Sequence, residues 1–376
     1  MHFSSFSFIS SFLVFSCSSS VLDEIRGIEI SSSTSDRAVN TQLTGKALVD
    51  HINAAQTSWI AQHNDISEDE MKFKVMDARF AERPLDTEFG ETLVGEEKHQ
   101  ETPPDTFDAR DYWPACKSVK LIRNQATCGS CWAFGAAEII SDRVCIQSNG
   151  TQQPIISVED ILSCCGTACG KGCKGGYSIE ALKFWKRSGA VTGGDYMGSG
   201  CMPYSFEPCK KSQCAESSTP SCKTTCQKGF KIEYNEDKHY GTSAYRLANS
   251  VSAIQSEIYR NGPVEASYLV YADFYNYKSG VYRYVSGKLV GGHAVKIIGW
   301  GTENGDDYWL IANSWGTTFG QNGFFKIRRG SNECGIESNV VAGVAKLGTH
   351  PEDDGDNATT LSFVTCTLAL LSYYLI

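Results

Sequence analysis

The sequence predicts an α+β, disulfide-rich protein in which a helical part precedes a strand-rich part. Two observations carry that expectation. Thirteen of the 16 cysteines fall between Cys116 and Cys226, in a glycine-rich stretch with helical patches. Beyond it come apolar runs of strand type, at 293–300, 308–312 and 323–327. Cysteines at that density imply an oxidising compartment. Zinc modules pair one CxxC with a second or with spaced histidines, and Cys164, Cys165, Cys169 and Cys173 have no such partner nearby, so disulfides are favoured over metal. The chain has 376 residues, 41% of them hydrophobic, with a formal charge of −9. That composition excludes a multi-span membrane protein and argues against a nucleic-acid partner, which would need a basic face.

The first 20 residues resemble a secretory signal: Phe, Ile, Leu and Val interleaved with serine, then a small-residue stretch, but with His2 in place of Lys or Arg. Residues 21–104 lack cysteine. Leu48, Ile52, Ala55 and Trp59 fall at i, i+4, i+7 and i+11, which predicts one apolar helix face running to about residue 60. A polar linker ending in Pro103-Pro104 follows, so this region reads as a removable pro-segment, or else as a permanent helical subdomain. The body spans 105–348. An acidic and then apolar tail, 349–376, ends the sequence. Its last 16 residues would span roughly 24 Å as a helix, short of a ~30 Å hydrocarbon core. They match a lipid-anchor signal in length but lack its polar spacer, so membrane attachment is disfavoured. Asn149 and Asn357 open glycosylation sequons if the chain is exported.

The chemistry-bearing stretch is Gln125-Ala-Thr-Cys128-Gly-Ser-Cys131-Trp132. Ala133, Ala137, Ile140 and Val144 follow at helical spacing, so Cys131 opens a helix, whose positive end favours thiolate, the nucleophilic form. Cys128 leaves a redox pair or a structural bridge open. A nucleophilic cysteine needs a base. His293 follows Gly291-Gly292 and opens an apolar strand, and Asn304-Gly305 signals a turn before the strand 308–312. A hairpin centred near 303 sets His293 against Asn313, an amide able to orient the ring. His239 reads as structural.

These residues resemble the papain-like cysteine proteases, whose signature matches Cys128-Gly-Ser-Cys131-Trp132. His293 and Asn313 lie 162 and 182 residues beyond Cys131, further than the usual roughly 130–150, which fits an insertion at about 201–226. That insertion is similar to cathepsin B. So are Thr106–Arg110, Cys173–Tyr177, Asp237–Gly241, Gly291–Ala294, Asn313–Trp315 and Cys334–Ser338, and the segment around Leu48 to Asn64 is similar to its propeptide.

The resemblance implies a papain-like two-domain fold, with a helical left domain carrying Cys131 and a barrel-like right domain carrying His293 and Asn313. It implies Cys131 as nucleophile, His293 as base and acid, Asn313 as orienter, and Gln125 as an oxyanion donor beside the Cys131 N–H. Gly175, Gly176 and Gly292 would offer bare backbone to substrate, Trp315 would cover the His293–Asn313 contact, and Asn339 would line the pocket for P2, the second residue before the scissile bond. The implied disulfides are Cys116–Cys145, Cys128–Cys173, Cys164–Cys222, Cys165–Cys169, Cys201–Cys226 and Cys209–Cys214. No cofactor or metal is expected. The implied partners are polypeptide substrates and the chain's own propeptide as an intramolecular inhibitor, in a secreted or lysosomal setting.

Departures from the family pattern matter as much. Cathepsin B-like enzymes remove C-terminal dipeptides by means of histidines in an occluding loop. Here the loop Cys209–Cys214 is short and has none, and the residues that would latch it are Asn124 and Thr318 rather than acids. Asn339 stands where an acid accepts a basic P2 residue. The expectation is an endopeptidase with weak or absent dipeptide removal. Alternatives are exopeptidase activity through Lys210 or Lys211, and a non-catalytic disulfide-rich binding protein.

Overall fold

The computed structural model describes residues 43–64, 68–82, 93–94 (backbone only), 102–209 and 214–347. The expected signal, most of the linker, Lys210, Lys211, Asn357 and the C-terminal tail lie outside these residues. No described helix is long and apolar enough to cross a membrane.

Helix α1, Gly45–Ala55, buries Leu48, Val49 and Ile52. It ends five residues before the position the periodicity predicts. Gln56 is extended, and its buried amide both donates to Trp59 O at 2.7 Å and accepts from Trp59 N at 3.0 Å, closing a turn. Ala55 is therefore exposed, and Trp59 begins a strand, β1 (Trp59–Ala61), with its ring 5.2 Å from Tyr282. The short helix α2, Glu68–Lys72, follows. The body adds strand β3 (Phe107–Asp108) and helices α3 (Ala109–Tyr112), α4 (Cys131–Gln147), α5 (Val158–Cys164), α6 (Ser178–Ser188) and α7 (Val251–Asn261).

Ten strands among the described residues share one sheet. Besides β1, β2 (Leu93–Val94) and β3 they are β4 (Gly241–Leu247), β5 (Val264–Tyr271), β6 (Tyr277–Tyr282), β7 (Leu289–Glu303), β8 (Asp306–Ala312), β9 (Phe324–Arg328) and β10 (Asn339–Ala345). Their order is β1-β6-β9-β8-β7-β5-β10-β4-β2, with β3 beside β7. Strands of the N-terminal segment thus extend both ends of the body's sheet, and the described residues from Thr44 to Leu347 form one compact unit.

Helix α4 is buried from Cys131 through Cys145, as a helix apolar on all sides must be. Of its three mid-helix ionisable residues, Glu138, Asp142 and Arg143, the last two form ion pairs. Asp142 meets Lys296 of β7 at 2.9 Å with both side chains fully buried, and Arg143 bonds the carbonyls of Gly262, Pro263 and Gly343 and pairs with Glu257. The helix carrying Cys131 is thereby tied to the strand carrying His293. All six implied disulfides are formed, leaving Cys131 and Cys334 free among the described residues.

Removing one member of a buried ion pair strands the other charge, at a cost of about 3–5 kcal/mol. Lys296→Met should therefore lower the unfolding free energy by about that amount in denaturant titration, and adding Asp142→Leu should recover most of it. A single variant as stable as the parent would remove this tie from the account.

Candidate active site

Cys131 is the first residue of α4, as its spacing predicts, and is fully buried. The Cys128–Cys173 bridge and the bond from Gly129 N to Cys173 O at 2.8 Å hold the preceding turn against the loop of Gly175 and Gly176. Across the cleft, β7 and β8 form the expected hairpin, with Asn304 and Gly305 both at positive φ in its turn. The hairpin centres between these two residues rather than near 303, and the register shifts between Ile297 and Gly299. His293 and Asn313 are consequently not cross-strand partners. Asn313 lies just past the end of β8, where its N–H bonds Gly323 O, and its side chain reaches the ring instead.

The contact is His293 Nε2 to Asn313 Oδ1 at 2.8 Å, and the same oxygen accepts from Ser314 N at 2.8 Å. An amide oxygen only accepts, so Nε2 carries the proton and Nδ1 keeps its lone pair, buried without a hydrogen-bond partner. Trp315 lies over the imidazole with ring centroids 4.7 Å apart. Gln125 is fully buried. Its Oε1 accepts from Ser314 Oγ at 2.8 Å, which turns Nε2 toward Cys128 O at 2.8 Å and Lys74 O at 3.1 Å. Ser314, unremarked in the sequence reading, thus orients the amide.

The cleft is occupied by the chain's own N-terminal segment. Lys74 O accepts from both Gln125 Nε2 and Trp315 Nε1, the latter at 3.2 Å. Met76 and Gly292 exchange backbone N–H···O bonds of 2.8 Å each way. A Cβ on Gly175 would meet Phe80 at 2.6 Å and Met76 at 2.8 Å, and one on Gly292 would meet Ala81 at 2.7 Å, so both glycines admit a peptide at close range. Gly176 does something else, since its missing side chain makes room inward for Trp132 and the Cys169 carbonyl. Asn339 donates to Ala81 O at 3.3 Å. Sequence reasoning missed this path of Lys74 to Ala81, although Phe73, Val75, Met76 and Phe80 form an apolar cluster within an otherwise polar stretch.

Burial of the site shifts its protons. Burial pushes the Cys131 thiol up to about 12, against the opposing bond from the Ala294 N–H. Raising a thiol from 9.0 to about 12 corresponds to about 4 kcal/mol against ionisation, more than the at most about 2 kcal/mol a helix terminus supplies. Burial likewise pushes His293 down to about 4, opposed by the Asn313 bond and assisted by the Lys74 ammonium. The thiolate expected from helix position is thus suppressed by desolvation, and the covered pair is a neutral thiol and a neutral imidazole. Lys74 is itself buried, which lowers its pKa against the pull of Glu70, and its Nζ donates to Ala126 O at 3.3 Å.

On the far side of Trp315 a cavity of about 320 Å³ is lined by Asn124, Thr318, Phe319 and Cys209, with Glu70 and Lys74 of the N-terminal segment. Asn124 spends its side-chain oxygen on Ala126 N at 2.9 Å, and Thr318 is exposed. His239, also singled out in the sequence, exchanges backbone bonds with Ala190, away from these residues.

Known proteins agree with this geometry. Residues 103–344 match the model of the papain family cysteine proteases. The chain is 69% identical over 369 residues to a cathepsin B-like cysteine proteinase 3 of Caenorhabditis elegans, covering 96% of each chain. It is 58% identical over 310 residues to a gut-specific cysteine proteinase of the same organism, covering 82% of this chain and 93% of that one. Among solved structures it resembles procathepsin B S9 of Trypanosoma congolense, at 35% identity and a TM-score of 0.70, covering 81% of this chain and 99% of that one. A digestive procathepsin L2 of Tenebrio molitor shares the fold, with a TM-score of 0.60, 23% identity and coverage of 86% and 96%. The chain belongs to the papain family of cysteine proteases, as a cathepsin B-like member.

Proposed function

We propose that the chain is the latent precursor of a cysteine endopeptidase. In this reading residues 1–20 direct export to a lysosomal or extracellular compartment, 21–104 form an inhibitory propeptide, and 105–348 are the mature enzyme. The observation that carries it is the segment from Lys74 to Ala81, which occupies the groove between Gln125, Trp315, Gly175 and Gly292. A substrate carbonyl would want the amide that Lys74 O now holds.

Removing the segment readmits water and lifts the desolvation that keeps the pair neutral. The Cys131 thiol then gives its proton to the His293 Nδ1 lone pair, and the thiolate attacks the scissile carbonyl. Negative charge develops on the carbonyl oxygen between Gln125 Nε2–H and the Cys131 N–H, one of the helix donors without an intrahelical partner. The imidazolium passes its proton to the leaving amine. Water, deprotonated by His293, then cleaves the thioester and frees the enzyme. Throughout, Asn313 Oδ1 holds Nε2–H and so keeps Nδ1 toward the chemistry. Loss of one such oxyanion donor costs about 10²–10³ in turnover, so Gln125→Ala should lower kcat by that factor with KM little changed. Unchanged kcat in steady-state assays would remove Gln125 from this role.

Endopeptidase over dipeptide removal is favoured because, among the described residues, no side chain of the body lining the cavity beside Trp315 is a cation. No histidine lies in the Cys209–Cys214 loop, and neither Asn124 nor Thr318 offers a charge to latch it. The loop's cations are Lys210 and Lys211, long, strongly hydrated side chains that lose more entropy on ordering than an imidazole. Matched quenched peptides with free and amidated C-termini test this, and kcat/KM should agree within about threefold. A preference of about tenfold or more for the free acid, abolished in Lys210→Ala/Lys211→Ala, would assign dipeptide removal to the lysines instead.

A further inference from the structure

We infer that Asn149 is an N-glycosylation site, carrying an oligosaccharide on the turn that closes helix α4, at the end remote from the cleft. This rests on the export of the chain proposed above and adds a covalent modification to it.

The sequon Asn149-Gly150-Thr151 follows α4 directly. Ser148 ends the helix, and its N–H bonds the carbonyls of Val144 and Ile146. Asn149 then takes a left-handed backbone, with φ 51°, and Gly150 a second, with φ 80°. Asn is one of the few side chains that tolerate this conformation, so turn geometry alone accounts for an Asn here. The sequon adds the acceptor chemistry, and the structure decides whether a glycan fits. Backbone groups and one hydroxyl close the turn. Asn149 N bonds Ile146 O at 3.0 Å, Gly150 N bonds Cys145 O at 2.8 Å, and Thr151 N bonds Ser148 O at 3.2 Å. The Thr151 hydroxyl donates to Ser148 O at 2.8 Å. The Asn149 side chain is exposed and takes no part in these bonds, so modifying it breaks none of them.

The surroundings leave room for a bulky, hydrated group. The Cys116–Cys145 bridge and the Gly150 bond to Cys145 O fix the turn to the body. A Cβ on Gly150 would meet only Ala115 Cβ, at 3.6 Å, which is ordinary contact. Asn149 is exposed with the N-terminal segment in place, so the site is open in the precursor. Helix α4 has 17 residues, a length of about 25 Å, and Cys131 lies at its other end, so the sugar leaves the groove clear. The covalent step is a glycosyl transfer from a lipid-linked oligosaccharide. Asn149 Nδ2 bonds to the anomeric carbon as the bond from that carbon to the pyrophosphate oxygen breaks; the lipid pyrophosphate leaves and the amide releases one proton. The chain supplies the acceptor amide and the Thr151 hydroxyl, and the export pathway supplies donor and transferase.

The test expresses the full chain in a eukaryotic secretory host and reads the peptide containing Asn149 by intact glycopeptide mass, before and after N-glycosidase treatment. Asn357→Gln removes the second sequon, so a glycan that remains belongs to Asn149. The parent and Asn357→Gln should both carry an oligosaccharide on that peptide, removed by the glycosidase. In the Asn357→Gln background, Asn149→Asp keeps a side chain tolerated at positive φ, and Thr151→Val leaves the Asn in place; each should lose the glycan, whereas Thr151→Ser should retain it. The parent's own glycopeptide decides the matter if a variant fails to fold. An exported chain with Asn149 unmodified, or a glycan that survives Thr151→Val, would overturn the assignment. A chain that never enters the export pathway would count instead against residues 1–20 as a signal, and the same chain behind an established secretory leader would then test Asn149 alone.

Discussion

The behaviour of the cleft depends on where one proton sits between Cys131 and His293. With the segment from Lys74 to Ala81 in place, both side chains are fully buried, and low dielectric drives both to their neutral forms. The helix terminus that would favour a thiolate is present, but desolvation outweighs it. On the proposed reading, latency is chemical as well as steric, because a segment that fills the groove over a buried, neutral pair also withholds the nucleophile. The proton count carries a further consequence. One proton is shared by the pair in the covered form, on sulfur, and one in the open ion pair, on nitrogen. Opening moves that proton internally and takes none from solvent, so any acid sensitivity of release has to arise at other groups along the segment.

The scaffold serves that proton's geometry. Asp142–Lys296 and the Arg143 bonds lock α4 to the sheet, so the nucleophile and the base come from different elements held at fixed spacing. Cys128–Cys173 anchors the turn before Cys131 to the glycine loop that lines the groove. Ser314 connects the two lobes once more. Its N–H bonds the Asn313 oxygen that holds His293, and its hydroxyl bonds Gln125. One residue thus orients both the base's partner and the oxyanion donor.

Much of this was legible in the sequence because it is local. The start of α4 at Cys131 and the Asn304-Gly305 turn follow from periodicity and turn chemistry, whereas His293 and Asn313 meet through a side-chain contact and not through the cross-strand register expected of them. The disulfides followed from resemblance. What escaped depends on tertiary neighbours. Trp59 completes a helical stripe on paper, yet Gln56 turns the chain and the Tyr277–Tyr282 strand takes the ring. The irregularity between Ile297 and Gly299 moves the hairpin register by a residue, which no count from a turn can foresee. Gly176 shares a motif with Gly175 but faces inward.

The central claim is that covering by the N-terminal segment neutralises the catalytic pair. The most direct test is the rate at which a thiol-directed epoxide alkylates Cys131, measured by intact mass in the full-length chain and in the form processed near residue 105, across pH 4 to 8. Because the thiolate is the reactive form, the full-length chain should react at least about 100-fold more slowly than the processed form at every pH. Equal rates in the two forms would mean that the thiolate persists beneath the segment, contradicting the account.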